Sequence, residues 1–146
     1  MKKLICILLA VVAVAVTMTA CGGNSQSFDR VDTGNVKHIK VAIEANEKPK
    51  YDIDKRKGVV ELVDIYNSAR FTETDGVKAK ELLEKPLYTF TFYDYDGKEI
   101  ASYSASPEGY VFKDGDLTKP YKLEGKFDVD KVKEVFRLYD VGSPPA

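Results

Sequence analysis

The apolar residues of the chain repeat with two different periods, and these periods predict where strands and helices lie. Residues 36–44 alternate, with Ile39, Val41 and Ile43 on one face, which is typical of a half-buried strand. Residues 88–93 alternate in the same way and are rich in aromatic and β-branched side chains, so they predict the clearest strand. Further short strands are expected at 51–53, 99–105, 110–112 and 121–123.

Two longer segments carry apolar residues at helical spacing. The first runs from a possible cap at Asp54 to Ala69, although Gly58 lowers helix propensity and favours a start nearer Val59. The second covers 129–139. The segment between the first helix and the clearest strand, 71–85, fits either a short helix or a loop packed on the core.

The second helix has a defined beginning. Asp128 is an N-cap residue, and Phe127 and Val132 have the spacing of a hydrophobic staple around it. Together, strands joined by tight turns and helices with one apolar face predict an α+β fold. We expect two layers: an antiparallel β-meander of about four to five strands with two main helices packed on one face. The single domain is expected to span 36–141, followed by a tail, 142–146.

The first residues have the organisation of a secretory signal peptide. Lys2 and Lys3 precede an apolar run, residues 4–16, that contains no charged residue. The run has about 13 residues, fewer than the roughly 20 that a helix needs to cross a bilayer. The pattern therefore predicts an exported protein with a leader over residues 1–20.

The end of this leader, Met18-Thr19-Ala20-Cys21, resembles the bacterial lipobox, with Met18 where that pattern prefers Leu. The resemblance implies that Cys21 becomes the mature N-terminus and carries a diacylglycerol on its sulfur. Two acyl chains are enough for stable anchoring. The implied location is the extracytoplasmic face of the cell membrane, with residues 21–35 as a flexible polar tether.

The rest of the chain resembles the small, uncharacterised α+β domains of lipoproteins from Gram-positive bacteria. The resemblance covers most of residues 36–140, and its clearest segment is Tyr-Thr-Phe-Thr-Phe-Tyr-Asp-x-Asp-Gly-Lys at 88–98. These residues are core and turn signals. The resemblance therefore implies a fold and no particular chemistry.

Charge and cysteine content exclude some classes of function. Loss of Lys2 and Lys3 with the leader changes the net charge from −1 to −3, and no basic stripe is present, so a nucleic-acid partner is not expected. The only other cysteine, Cys6, lies in the leader. The mature chain therefore has no partner for a disulfide with Cys21.

The residues that could carry catalysis or bind metal are sparse. His38 is the single histidine and is interpreted as a solvent-facing strand residue in preference to a general base or ligand. The acidic turns at 94–96 and 114–116 lack the oxygen ligands of a calcium loop, and zinc ligands are absent. We therefore predict no metal, no cofactor and no catalytic residue.

Tyrosine is the residue type in excess, with nine copies in the sequence. Tyr93, Tyr95, Tyr103 and Tyr110 cluster on or beside the predicted hairpin, and tyrosine is enriched at binding surfaces. One interpretation is a contiguous exposed binding surface. The other is that Tyr93 and Tyr103 form a cross-strand pair that covers the outer face of the sheet.

These observations predict a non-enzymatic, lipid-anchored binding module at the cell envelope. An alternative is an inhibitor or immunity-type protein that inserts a loop, 95–98 or 106–109, into the cleft of an enzyme. A third is a hydrolase with two carboxylates about 5–10 Å apart in a pocket.

Overall fold

The core element of the protein is one antiparallel sheet of seven strands, in the order β2-β1-β4-β5-β6-β7-β3. A computed structural model describes residues 24–44, 48–74 and 77–142. The predicted leader, Cys21 and residues 143–146 of the predicted tail lie outside the described residues. The strands are β1 (His38–Ala42), β2 (Tyr51–Ile53), β3 (Phe71–Glu73), β4 (Tyr88–Tyr93), β5 (Glu99–Ala105), β6 (Tyr110–Lys113) and β7 (Tyr121–Leu123).

The predicted fold class, a two-layer α+β meander of four to five strands with two main helices, is wrong. The fold is dominated by its sheet, and only β4 to β7 follow one another as a meander. β1 pairs with β4, and β3 pairs with β7 at the far edge. Both pairings join segments distant in sequence, so no turn motif indicates them. β3 has three residues and only one of them, Phe71, is apolar, so it shows no alternation.

Three short helices accompany the sheet in the described part of the chain: α1 (Arg56–Ser68), α2 (Ala79–Leu83) and α3 (Val129–Tyr139). The predicted cap of α3 is confirmed, because the Asp128 carboxylate accepts a hydrogen bond from the Lys131 N–H at 2.9 Å. The predicted cap of α1 is wrong. α1 begins at Arg56 after Lys55, which makes no side-chain cap, and includes Gly58.

The main core lies between one face of the sheet and the helices α1 and α3. The residues that α1 buries there include Leu62 and Val63, and α3 adds Val135 and Phe136. The strands contribute alternate residues, as their pleat requires: Ile39, Val41, Phe90, Phe92, Tyr103, Val111 and Tyr121. A smaller cluster of Leu82, Leu87 and Phe112 packs under α2 on the other face.

The described part of the predicted tether, residues 24–35, is packed against the domain. Gln26 exchanges two backbone hydrogen bonds with Phe71, at 2.8 and 3.0 Å. Phe28 is buried and stacks on Tyr66 with 4.5 Å between ring centroids. The Asn67 side chain binds the N–H and the C=O of Val31 at 2.9 and 2.8 Å. Composition alone did not predict this packing, because a polar segment with one aromatic residue is also typical of a flexible tether.

Both edges of the sheet have partial backbone partners. At β3 the partner is Gln26, and at β2 it is Asp140, which forms an isolated bridge with Ile53. The Val141 N–H also donates to the Asp52 C=O at 3.1 Å. These contacts reduce the unpaired backbone that an edge strand offers to other chains.

Candidate functional site

The four tyrosines predicted as a binding surface do not come together. Tyr103 is 2 % exposed on the inner face of the sheet, where it pairs with Phe90 across the strands. Tyr93 and Tyr110 lie on the outer face at opposite ends of β5, and Tyr95 is 64 % exposed in the β4–β5 turn. The alternative cross-strand pair of Tyr93 and Tyr103 is also not formed, since Tyr93 pairs with Glu99.

The structure instead contains a cavity of about 310 Å³ on the inner side of the sheet. It lies between the C-terminal end of α1, the strands β5 to β7, and the segment 124–128 that leads into α3. Apolar side chains form much of its wall. They include Ile65 of α1, Val111 of β6, Leu123 of β7 and Phe127.

Tyr103 is the buried polar residue of this cavity wall. Within the described residues, its hydroxyl is buried and has no hydrogen-bond partner. Burial, with a smaller contribution from neighbouring Tyr66, raises the pKa of Tyr103 far above its ordinary value. The hydroxyl therefore stays protonated.

The exposed end of the cavity wall carries charge of both signs, with three cations and two carboxylates. The cations are Arg70, Lys126 and Lys131, and the carboxylates are Glu124 and Asp128. Asp128 already caps α3, and Arg70 already donates to the Ala69 C=O at 2.9 Å. These five groups carry a net charge of +1, whereas the net charge of the whole chain is negative.

Sequence reasoning did not find this cavity. Its wall comes from α1, three strands and the loop before α3, which are far apart in the sequence. The excess of tyrosine was the one sequence signal that indicated a residue of the cavity. It indicated Tyr103, but as part of an exposed surface. The register of β4 with β5, which shifts between Phe92 and Tyr93, turns Tyr103 inward opposite Phe90.

The other candidate groups have structural partners. His38 Nδ1 lies 3.0 Å from Asp52 Oδ1 on neighbouring strands. Asp94 Oδ1 accepts the N–H groups of Asp96 and Lys98 within its turn, at 2.9 and 2.8 Å. Among residues 24–44, 48–74 and 77–142, no group of three or more His, Cys, Asp or Glu side chains could hold a metal ion.

Comparison with protein-family models, with curated proteins and with solved structures finds no match to this chain. In the part of the chain that the structure describes, no helix is both long and apolar enough to span a bilayer. The leader sequence and the cavity are therefore the features from which a function can be inferred.

Proposed function

We propose that this protein is a non-enzymatic binding module, anchored by lipid to the extracytoplasmic face of the cell membrane. The observation that carries the proposal is the order of signals in the leader: Lys2 and Lys3, the uncharged apolar run, small residues, and Cys21. A diacylglycerol on Cys21 supplies the two acyl chains that stable anchoring requires.

The cavity of α1, β5–β7 and segment 124–128 replaces the tyrosine surface as the candidate binding site. It combines an apolar wall with a few charged groups at its exposed end. Small-molecule sites commonly have this composition, with volumes of about 300–1,000 Å³. The proposed function is therefore that of a receptor for a small ligand at the membrane surface.

Replacement of Cys21 by Ala tests the anchor. We expect the wild-type protein to fractionate with membranes and to carry a lipid mass on its N-terminal peptide. The Cys21→Ala variant should leave the membrane fraction, because the thioether cannot form. Cys6→Ala is the matched control and should behave as wild type, since Cys6 lies in the leader. An unmodified Cys21 in membrane-bound wild-type protein would contradict the proposal.

A second candidate function, an inhibitor of an envelope or secreted enzyme, is favoured by one observation. Tyr95 is 64 % exposed at the tip of a turn that the Asp94 carboxylate braces. The other predicted loop is less suited, because Ser106 is fully buried and the Lys122 ammonium binds the Glu108 C=O at 2.8 Å. If Tyr95→Ala abolishes capture of an enzyme from culture medium while Lys98→Ala does not, inhibition becomes the better reading.

A further inference from the structure

We propose that residues 24–32 form a strap that leaves the domain as one unit while the sheet and the helices stay folded. The strap follows Cys21 in the chain, so its release lengthens the link between the proposed lipid and the domain. The change in link length rests on the proposed lipid anchor, whereas the release itself does not.

The sheet keeps all seven strands without the strap. In the described part of the chain, the strap backbone joins the sheet at one isolated bridge, between Gln26 and Phe71 at the β3 edge. The helix α1 also packs on the sheet through Leu62 and Val63, which are fully buried. Release therefore breaks no pairing between strands, and the part that opens is small compared with the fold.

The contacts that hold the strap come from few groups. The Phe28 ring stacks on the Tyr66 ring with 4.5 Å between centroids, and its centroid lies 4.8 Å from that of Phe71. The Asn67 amide binds the N–H and the C=O of Val31, at 2.9 and 2.8 Å. These contacts can open together without the loss of a strand ladder. Because release uncovers the Tyr66 and Phe71 rings, the closed state is the more populated one.

The 3-10 turn Thr33–Asn35 is the hinge between the strap and the sheet. Gly34 is exposed, so a change of backbone angles in this turn meets little packing. Beyond the turn the chain is fixed again, because Val36 is 1 % exposed and the Lys37 N–H donates to the Tyr93 C=O at 2.9 Å. The released part therefore ends before Val36.

Release changes the length of chain between Cys21 and the domain. In the closed state this link consists of residues 22–25, because Gln26 is bound to the sheet edge. In the open state the link consists of residues 22–35. For a flexible chain, this increase raises the root-mean-square end-to-end distance by about 10 Å. The domain therefore has a near and a far position relative to the bilayer.

Hydrogen exchange on the full lipoprotein in liposomes tests the release. Gln26 and Phe71 exchange backbone hydrogen bonds, at 2.8 and 3.0 Å, and the Val31 N–H is bound by Asn67, so all three amides depend on the strap. We expect a common protection factor, at least about tenfold lower than that of β4 and β5, which low urea reduces because release exposes surface. Protection as high as in β4 and β5, different protection at the three amides, or no response to urea overturns the proposal.

Phe28→Ala removes the ring and should shift the strap to the open state. We expect the three amides to lose protection at least about tenfold further, while β4 and β5 keep theirs. Arg30→Ala, at an exposed position of the same strap, is the matched control and should leave protection unchanged. Loss of protection throughout β4 and β5 in Phe28→Ala shows that the fold requires the strap, and this also overturns the proposal.

Energy transfer measures the link length. A donor dye is attached to Lys133→Cys, at an exposed position of α3, and the acceptor is a labelled lipid in the liposome. The lipid blocks the Cys21 sulfur and Cys6 leaves with the leader, so the introduced thiol is the one that reacts. Phe28→Ala should move the donor outward by about 10 Å, and Arg30→Ala should not move it. An unchanged distance in Phe28→Ala protein with an open strap overturns the change in link length.

Failure of the strap and failure of the anchor give different results. The Cys21→Ala chain carries no lipid, and its strap amides should show the same protection as in the lipoprotein, because the contacts of the strap join protein groups. Membrane-bound, lipidated protein whose strap stays closed overturns only the strap. An unmodified Cys21 overturns only the anchor and the change in link length.

Discussion

Gly58 occupies a close contact between α1, β2 and α3. A Cβ atom built on this residue would lie 2.7 Å from Ile53 Cγ2 and 2.8 Å from Tyr139 Cβ. Both neighbours belong to the core or pack against it, so neither can move away easily. Gly58 lowers the helix propensity of α1, but the packing of α1 against β2 and α3 requires it.

We expect Gly58→Ala to destabilise the protein. Alanine gains about 1 kcal/mol of helix propensity, but overpacking costs about 1–3 kcal/mol. The expected net loss is up to about 2 kcal/mol, measured by urea unfolding. Lys57→Ala, an exposed neighbour in the same helix, should change stability by less than about 0.5 kcal/mol. An unchanged or raised stability for Gly58→Ala would show that α1 can shift away from β2.

The segment 24–36 is held to α1 by the Phe28 ring, by the Asn67 side chain and by Arg56, whose guanidinium donates to the Thr33 C=O at 2.7 Å. Asn67 binds both backbone groups of Val31, as a neighbouring strand would. The segment has little regular structure of its own beyond the short 3-10 turn Thr33–Asn35. Its position therefore depends on a few side chains.

Asn67→Ala should loosen this segment without unfolding the domain. Two hydrogen bonds are lost, and we expect a stability loss of about 1–3 kcal/mol. Hydrogen exchange should accelerate at residues 26–36 while β4 and β5 stay protected. Asp64→Ala, an exposed change on the same helix, is the control and should leave exchange in the segment unchanged. Uniform acceleration across the sheet would instead show that the segment is part of the global folding unit.

The elements that the sequence predicted well are those with several repeats of one period. β4 and α3 fall close to their predicted bounds because each presents alternate or helical apolar positions over six or more residues, and β5 does so because the turn at 94–97 returns the chain beside β4. β3 and the packed segment 24–35 were missed. β3 has one apolar residue, Phe71, whereas β2 and β7 each have two in alternation, and Phe28 is a single aromatic in a polar stretch.

Strand order and the cavity depend on contacts that no local pattern encodes. The pairings of β1 with β4 and of β3 with β7 close long loops, and either strand could have joined another edge. The cavity follows from this order, because it forms only where β5 to β7 meet the ends of α1 and α3. The sequence indicated Tyr103 as a site residue but did not predict which face of the sheet its side chain occupies.

Three exposed ion pairs make the stability depend on pH. The side-chain hydrogen bonds with Lys119, Lys85 and Arg137 lower the pKa values of Glu73, Glu108 and Glu134, respectively, below the ordinary 4.5. A carboxylate with a lowered folded-state pKa stabilises the fold above its unfolded-state pKa. This contribution is lost as the pH falls through the folded-state value.

We therefore expect the free energy of unfolding, measured with urea, to be independent of pH just above pH 5 and to decrease below pH 4.5. Because these pairs are exposed, 0.5 M salt should reduce the pH dependence that is seen at low ionic strength. The variant Glu108→Gln, which removes the ion pair with Lys85, should show a smaller pH dependence of its stability. A pH dependence that is unaffected by salt would point to a buried carboxyl group instead.

The bridge between Gln26 and Phe71 also sets how far the domain can stand from the bilayer. If Cys21 carries the lipid, only residues 22–25 separate it from that bridge, and the fully extended backbone covers about 17 Å at most. While the bridge is formed, the sheet edge at β3 must then stay within about 17 Å of the lipidated residue. Ligands and partners would be met at the bilayer surface itself, and their lateral diffusion in the membrane would govern the encounter.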